Sequence, residues 1–182
     1  MPLPAPAAPR ERLHTRHIRI QGYRRDDGLW DIEGHLTDVK DHEVQLASGP
    51  RAAGLPIHEM WLRLTVDATL TIRDACAATD AMPYQDSCDT ITAVYRQLIG
   101  LRIAPGFTKK VRELFGGVRG CTHITELIGT VATGAYQTLV GQLPMPEDRK
   151  PFQLDGCHAL DTTGPIVARF YPRWYRGEGE RR

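Results

Sequence analysis

The strongest constraint on the fold is an alternation of apolar and polar residues between Trp61 and Arg73. From Leu62 onward, every second side chain is apolar and those between are polar or charged. A period of two puts one set against a core and the other in solvent, as in a half-buried antiparallel strand. Since 13 residues are long for one strand and Asp67 favours a turn, we predict a hairpin of strands Trp61–Val66 and Thr69–Ala75.

Two earlier segments predict further strands. Gly28–Val39 alternates clearly, with Trp30, Ile32, Gly34 and Leu36 on one face. Its other face carries two acids and a histidine, which we interpret as a solvated face rather than a site for a metal or a basic substrate. Leu13–Tyr23 alternates weakly. Its histidines, His14 and His17, project to opposite faces of a strand, so we predict that both are surface residues.

Three segments predict helices, over residues 88–99, 107–115 and 122–141. Each carries apolar residues at helical spacing, and glycine or proline ends each one. Asp86 or Ser87 is predicted to cap the first helix. The chain between Cys76 and Cys88 is predicted to be irregular, because Pro83 disfavours helical backbone at the residue before it. Asp41–Pro56 has no periodicity and is predicted to be a loop. Ile166–Tyr175 is predicted to be a late strand or a surface segment.

Length and composition favour one α+β domain with extensions at both ends. The chain has 182 residues, 41% of them apolar, which is enough for one core. We predict a disordered tail over residues 1–12, a single domain over 13–142 and an irregular extension over 143–182 that packs on the domain and ends in a basic tail. The predicted sheet has three or four antiparallel strands with helices on one face.

Charge and cysteine usage narrow the partners and the compartment. A net charge of +1 gives no global field that favours nucleic acid. No apolar run approaches the roughly 18 residues of a membrane span. The four cysteines are spread out without a C-x-x-C pair, which predicts free thiols in a reducing cytoplasm. A small-molecule ligand is the expected partner, and the oligomeric state is left open.

The best candidate site is the segment Phe115–Glu126, which reads F-G-G-V-R-G-C-T-H-I-T-E. Cys121 falls at the start of the long predicted helix, where free N–H groups and the positive end of the helix dipole favour a thiolate. His123 and Glu126 are three residues apart and share a helical face. Gly117 and Gly120 allow the backbone to approach a ligand closely.

Cys121 and His123 fit a metal-ligand pair, an activated nucleophile with its base, or a buried cysteine beside a capping histidine. Cys88 is likewise predicted at a helix start. The irregular chain before it carries Asp80 and Tyr84, and His58 precedes the hairpin. We add these residues to the candidate site.

The run from Trp30 to Gln137 resembles an uncharacterised bacterial family, domain of unknown function 2889. The stretches that carry the resemblance are D-I-E-G-H-L-T-D-V-K (31–40), P-I-H-E-M-W-L-R-L-T-V-D (56–67), P-Y (83–84), Y-R-Q-L-I-G (95–100) and G-C-T-H-I-T-E-L (120–127). This resemblance implies no established reaction.

The order of elements also resembles the iron–sulfur scaffold proteins of the NifU and SufE type. A strand hairpin, the sequence I-R-D-A (72–75), a loop, a helix and a Cys/His pair near the last long helix carry this likeness. It implies metal ligands at Asp80, Cys88, Cys121 and His123. The sequence departs from that family in having no cysteine at the first ligand position and Cys-x-His in place of an adjacent pair.

Three functional hypotheses follow. The first is a Cys/His/Asp site at the start of the last long helix that binds zinc or iron, for catalysis or for cluster handling. The second is a metal-free enzyme of acyl or thioester transfer, with Cys121 as nucleophile and His123 or His58 as base. The third is a non-catalytic module that binds a partner protein. If the protein is an enzyme, we expect a lyase or hydrolase that acts on a small molecule.

Overall fold

The computed structural model describes residues 3–142 and 148–177. The chain divides into two compact units between Val140 and Gly141. The elements of the first unit are strands β1 (His14–Arg24), β2 (Trp30–Lys40), β3 (Val44–Leu46), β4 (Gly49–Arg51), β5 (Pro56–Val66) and β6 (Ile72–Ala81), helices α1 (Phe107–Phe115) and α2 (Thr122–Leu139), and 3-10 helices at Thr90–Leu98 and Gly117–Arg119.

Four antiparallel strands form the main sheet in the order β1-β2-β5-β6. Together with the helices they confirm the predicted α+β class and the predicted sheet. The turn after β5 depends on Asp67, whose carboxylate accepts hydrogen bonds from the backbone N–H groups of Thr69 and Thr71. Leu70 in the same turn has a φ of 61°. The hairpin therefore turns after Val66 as predicted, but its strands begin at Pro56 and Ile72 rather than at Trp61 and Thr69.

Strand β6 continues beyond the predicted end. The prediction that the chain after Cys76 is irregular is wrong as far as Ala81, because these residues pair with β5. The segment is rich in alanine, which is a poor strand former, so its conformation comes from the hydrogen-bonding edge of β5 rather than from intrinsic preference. The loop predicted over Asp41–Pro56 likewise contains the two-stranded β3–β4 hairpin.

The predicted helices are present with adjusted ends. The first is a 3-10 helix capped by Asp89, whose side chain accepts from the N–H of Thr90. The prediction of Asp86 or Ser87 as its cap is wrong, since Asp86 adopts a φ of 62° in the preceding turn. Helix α1 has the predicted bounds, and α2 ends at Leu139. The sequence Leu143–Pro146, expected to stop α2, lies outside the described residues.

Helix α2 packs against one face of the sheet at close range. The residues that this packing buries alternate along β2 and β5 and recur at helical spacing on α2: Ile32, Leu36, Met60, Leu62, Leu64, Ile124, Leu127, Ile128, Val131 and Ala135. Glycines permit the approach: a Cβ on Gly34 would lie 2.5 Å from Val131 Cγ2, and one on Gly134 would lie 2.4 Å from Ile20 Cγ2. The opposite face of the sheet carries polar and half-buried side chains.

The second unit has a small core of its own, in which Leu154, Thr162 and Val167 are buried. Helix α3 (Pro165–Phe170) begins with a proline and is followed by a 3-10 helix over Pro172–Trp174. The prediction of a strand in this segment is therefore wrong. Proline at the first helical position fits because its missing N–H would have no helical partner. The predicted basic tail lies largely beyond the described residues.

Two glycines of α2 give a matched test of this packing. Gly129→Ala should raise the free energy of unfolding by about 0.5–1 kcal/mol, because alanine is the better helix former and a Cβ there meets nothing within 4 Å. Gly134→Ala gains the same helix preference but forces the helix away from Ile20, an overpacking cost of about 1–3 kcal/mol. Urea unfolding measures both. Equal stabilisation of the two variants would contradict the close packing.

Candidate functional site

Three polar side chains form a row across one end of the main sheet. Arg16 on β1, Asp38 on β2 and His58 on β5 are direct cross-strand partners. Such partners project to the same face, and Asp38 is in phase with the buried Ile32 and Leu36. The row therefore lies on the face that α2 covers, where a carboxylate is taken out of water.

Asp38 is 4% exposed and is held by ionic hydrogen bonds. Arg16 binds it bidentately, with Nε 2.8 Å from Oδ1 and Nη2 2.9 Å from Oδ2, and His14 Nε2 lies 2.9 Å from Oδ1. Burial alone would raise the pKa of the carboxyl, but the hydrogen bonds and charge of Arg16, aided by His14, outweigh it and lower the pKa to about 2. Asp38 is thus an anion at neutral pH.

Two histidines approach the second oxygen of Asp38. His58 Nδ1 lies 3.2 Å from Oδ2, and His123 Nε2 lies 3.5 Å from the same atom. The two imidazole rings are in contact, with centroids 3.8 Å apart and planes inclined by 31°. Burial lowers the pKa of both histidines below the ordinary value, and the attraction of Asp38 offsets this only in part. Burial thus favours the neutral form of both rings, in which each keeps a nitrogen lone pair.

One donor atom from each of Asp38, His58 and His123 lies within 4.8 Å of the other two. Among the described residues this is the one group of three or more such side chains that is close enough to share a metal ion. Its donor set is one carboxylate and two imidazoles, which zinc and iron both accept.

The start of α2 completes the surroundings of this group. Cys121 is the N-cap residue, and its Sγ lies 3.8 Å from His123 Nδ1. Glu126, one helical turn after His123, accepts a hydrogen bond of 2.7 Å from Arg16 Nη1. Cys121 lies at the start of this helix, as predicted, and His123 and Glu126 lie in its first turns.

Other predicted site residues lie in the following places. Tyr84 is 54% exposed, and Cys88 lies in the turn that Tyr84 closes through its carbonyl. Asp80 accepts a hydrogen bond of 2.8 Å from Trp61 Nε1 on the polar face of the sheet. Gly117 adopts a φ of 65° before α2. The group formed by Asp38, His58 and His123 contains one of the metal ligands predicted from sequence, which is His123. It also contains His58, which was predicted as a catalytic residue.

Sequence reasoning overlooked Asp38, His14 and Arg16. The signal for Asp38 was present: it continues the even-numbered positions whose earlier members, Trp30 and Leu36, were assigned to the core. An aspartate in phase with a buried face requires a partner. The prediction that His14 is a surface residue is confirmed, since its side chain is 38% exposed, but its ring also bonds Asp38.

A second histidine–carboxylate pair lies on the opposite, polar face of the sheet. His35 Nε2 is 2.9 Å from Glu59 Oε1, and its ring stacks on Trp61 with centroids 3.7 Å apart. This pair is not part of the group of possible metal ligands found among the described residues, which consists of Asp38, His58 and His123. It resembles the Asp38 pair in chemistry and therefore provides a control.

Comparison with known proteins identifies a family. The sequence model of a family described as "Protein of unknown function (DUF2889)" matches residues 14–137. The match includes Asp38, His58 and His123, which we call the cluster, and the residues that border it. Neither a curated protein nor a solved structure matches the chain. The likeness to NifU- and SufE-type scaffolds therefore stays a prediction. Within the described residues, no helix is long and apolar enough to cross a bilayer.

The histidine pKa shifts predict a pH dependence of stability. Folding lowers the pKa of His58 and His123, so below about pH 6.5 the unfolded chain binds more protons than the folded one. The free energy of unfolding should then fall as the pH decreases from 7 to 5. Urea unfolding with a chelator present measures this, and the double variant His58→Gln/His123→Gln should show a flatter dependence. Parallel curves for the two proteins would contradict the assignment.

Proposed function

We propose that this chain, which belongs to the family described as Protein of unknown function (DUF2889), binds a divalent transition metal through Asp38, His58 and His123. The observation that carries the proposal is the convergence of their three donor atoms within 4.8 Å. Zinc and iron are the candidate ions. The proposed ligands differ from the Cys121, Cys88 and Asp80 set expected from sequence, with His123 common to both.

The distances support a shared ion. Zinc binds nitrogen and oxygen ligands at about 2.0–2.2 Å, so neighbouring ligands of a tetrahedral ion are about 3.4 Å apart. His58 Nδ1 and His123 Nε2 lie 3.2 and 3.5 Å from Asp38 Oδ2. Small side-chain rotations therefore suffice to place an ion between the three atoms.

The charges around the cluster also support a cation. With both imidazoles neutral, Asp38, Glu126 and Arg16 together carry one negative charge. Asp38 is already fixed by Arg16 and His14, and hydrogen bonds that orient a ligating carboxylate strengthen a metal site. Arg16 in turn is held by Glu126. The carboxylate thus presents Oδ2 to the histidines without having to be ordered on binding.

Three protein ligands suit a reaction centre better than a purely structural ion. Structural zinc sites use four protein ligands, whereas catalytic sites use three and leave a position for water or substrate. Cys121 and Glu126 border the cluster and are available for proton transfer beside such a position. We propose a metal-dependent lyase or hydrolase that acts on a small molecule in the cytoplasm.

Metal binding is tested on protein purified without a metal-affinity step. Elemental mass spectrometry measures the metal that the purified protein holds, and titration with Co²⁺ follows after a chelator has removed that metal. We expect stoichiometric binding to the wild type. His58→Gln and His123→Gln should each weaken it by at least tenfold, because each removes one of three ligands. His35→Gln is the matched control and should bind as the wild type does.

A Cys121→Ser variant distinguishes the two sets of metal ligands, the one proposed here and the cysteine-containing one expected from sequence. Cys121→Ser should retain the metal, whereas loss of metal in that variant would favour the cysteine-containing set. A wild-type protein that holds no metal as purified and binds no Co²⁺ would overturn the proposal.

A second candidate function rests on a different contact. Cys121 Sγ is 3.8 Å from His123 Nδ1, and His123 Nε2 is 3.5 Å from Asp38 Oδ2. The order thiol, imidazole, carboxylate is that of a nucleophile, its base and the group that orients the base. This arrangement supports acyl or thioester transfer by Cys121 without a metal, with the free N–H groups of α2 near the reacting atom.

Alkylation by iodoacetamide, mapped by mass spectrometry in the presence of a chelator, tests the second candidate. Cys121 should react faster than the exposed Cys157 at pH 7. His123→Gln should remove the difference because it removes the base, and His35→Gln should not. A Cys121 rate equal to that of Cys157 in the wild type would argue against a nucleophilic role.

A further inference from the structure

The phenol of Tyr95 is bonded to the backbone at the start of α2. Tyr95 lies on the 3-10 helix Thr90–Leu98 and is fully buried. Its oxygen accepts a hydrogen bond of 2.7 Å from the N–H of Cys121 and donates one of 3.0 Å to the carbonyl of the same residue. The hydroxyl of Thr125 lies 3.1 Å away. One side chain therefore fixes both backbone polar groups of the residue that begins the helix.

The bonds from Tyr95 hold an N-cap residue that makes no capping bond of its own. The N-cap residue of a helix commonly uses its own side chain to accept hydrogen bonds from the first turn, but Cys121 makes no such bond. Instead, a side chain from a different element holds the N-cap backbone. The position of the first turn of α2 is thus set by the 3-10 helix as well as by packing on the sheet.

The residues around Tyr95 leave space for its phenol. A Cβ on Gly120 would lie 3.1 Å from the Tyr95 oxygen and 2.7 Å from the carbonyl oxygen of Phe115. The Tyr95 ring packs against Phe115, with centroids 4.8 Å apart. Burial raises the pKa of Tyr95, so its hydroxyl stays protonated at neutral pH and keeps both its donor and its acceptor role.

We propose that Tyr95 is a positioning residue for the metal centre: by holding Cys121 it fixes the first turn of α2, and so places the imidazole of His123 against Asp38 and His58. This inference rests on the proposed metal-binding function. His123 follows Cys121 by two residues, a rise of about 3 Å along the helix. Metal–ligand distances vary by only about 0.2 Å in well-formed sites, so a small displacement of this turn weakens binding.

The variant Tyr95→Phe removes one oxygen and keeps the ring. Tyr136→Phe is a matched control, because Tyr136 also donates its hydroxyl to a backbone carbonyl, that of Ile103 at 2.8 Å, and burial likewise raises its pKa. Titration with Co²⁺ and the visible spectrum of the bound ion measure the effect. We expect Tyr95→Phe to raise the Kd by about 10-fold or more and to change the spectrum, while Tyr136→Phe stays within about twofold of the wild type.

The design separates the two proposals. Absence of Co²⁺ binding by the wild type overturns the metal site and this inference together. Binding by the wild type with equal Kd and spectrum in Tyr95→Phe and Tyr136→Phe overturns the inference alone. If Tyr95→Phe does not fold, Gly120→Ala is used, because its Cβ would lie 3.1 Å from the Tyr95 oxygen and so displaces the phenol from the backbone of Cys121. An unchanged Kd and spectrum in that variant then overturn the inference, and a raised Kd supports it.

Discussion

The close approach of α2 to the main sheet is the constraint on which the rest of the structure depends. Gly34 on the sheet and Gly134 on the helix remove side-chain atoms that would separate the two surfaces, so the helix approaches the sheet closely at these positions. One end of this interface is filled with apolar side chains. The other end, where α2 begins, receives the polar row across β1, β2 and β5. The candidate site is therefore the polar end of the interface that forms the core.

A buried carboxylate at this end is stable because its neighbours meet its hydrogen-bonding capacity. Arginine provides two donors in a fixed geometry, and the imidazoles contribute from the remaining directions. The same arrangement favours the neutral forms of His58 and His123, since burial opposes their charged forms. Asp38 and the two imidazoles are thus suited to bind a cation. His123 is also suited to act as a base for the thiol of Cys121. The two functional candidates share this chemistry and differ in the partner of His123.

Local patterns predicted the fold well and the site in part. Period-two alternation and helical spacing located the strands and helices because one face of each element is buried. Strand β6 was underestimated because Ala77 and Ala78 carry no strand signal and are held by their neighbour β5. The spacing of Cys121 and His123, two residues apart in one segment, pointed to the start of α2, where the candidate site lies. Asp38 and Arg16 were missed because their meeting depends on the register between β1 and β2, which no single segment encodes.

The ion pair between Arg16 and Glu126 joins residues 110 positions apart in sequence. Contacts of such separation form late in folding, because a long loop must close before they contribute. During synthesis at roughly 5–20 residues per second, about 5–20 s separate the appearance of the two residues. Arg16 and His14 can already bond Asp38 on the neighbouring strand β2, but Glu126 joins them only when almost the whole first unit has been made. Any chain that ends before α2 lacks both His123 and Glu126, so an assembled cluster requires the first unit at least as far as Glu126.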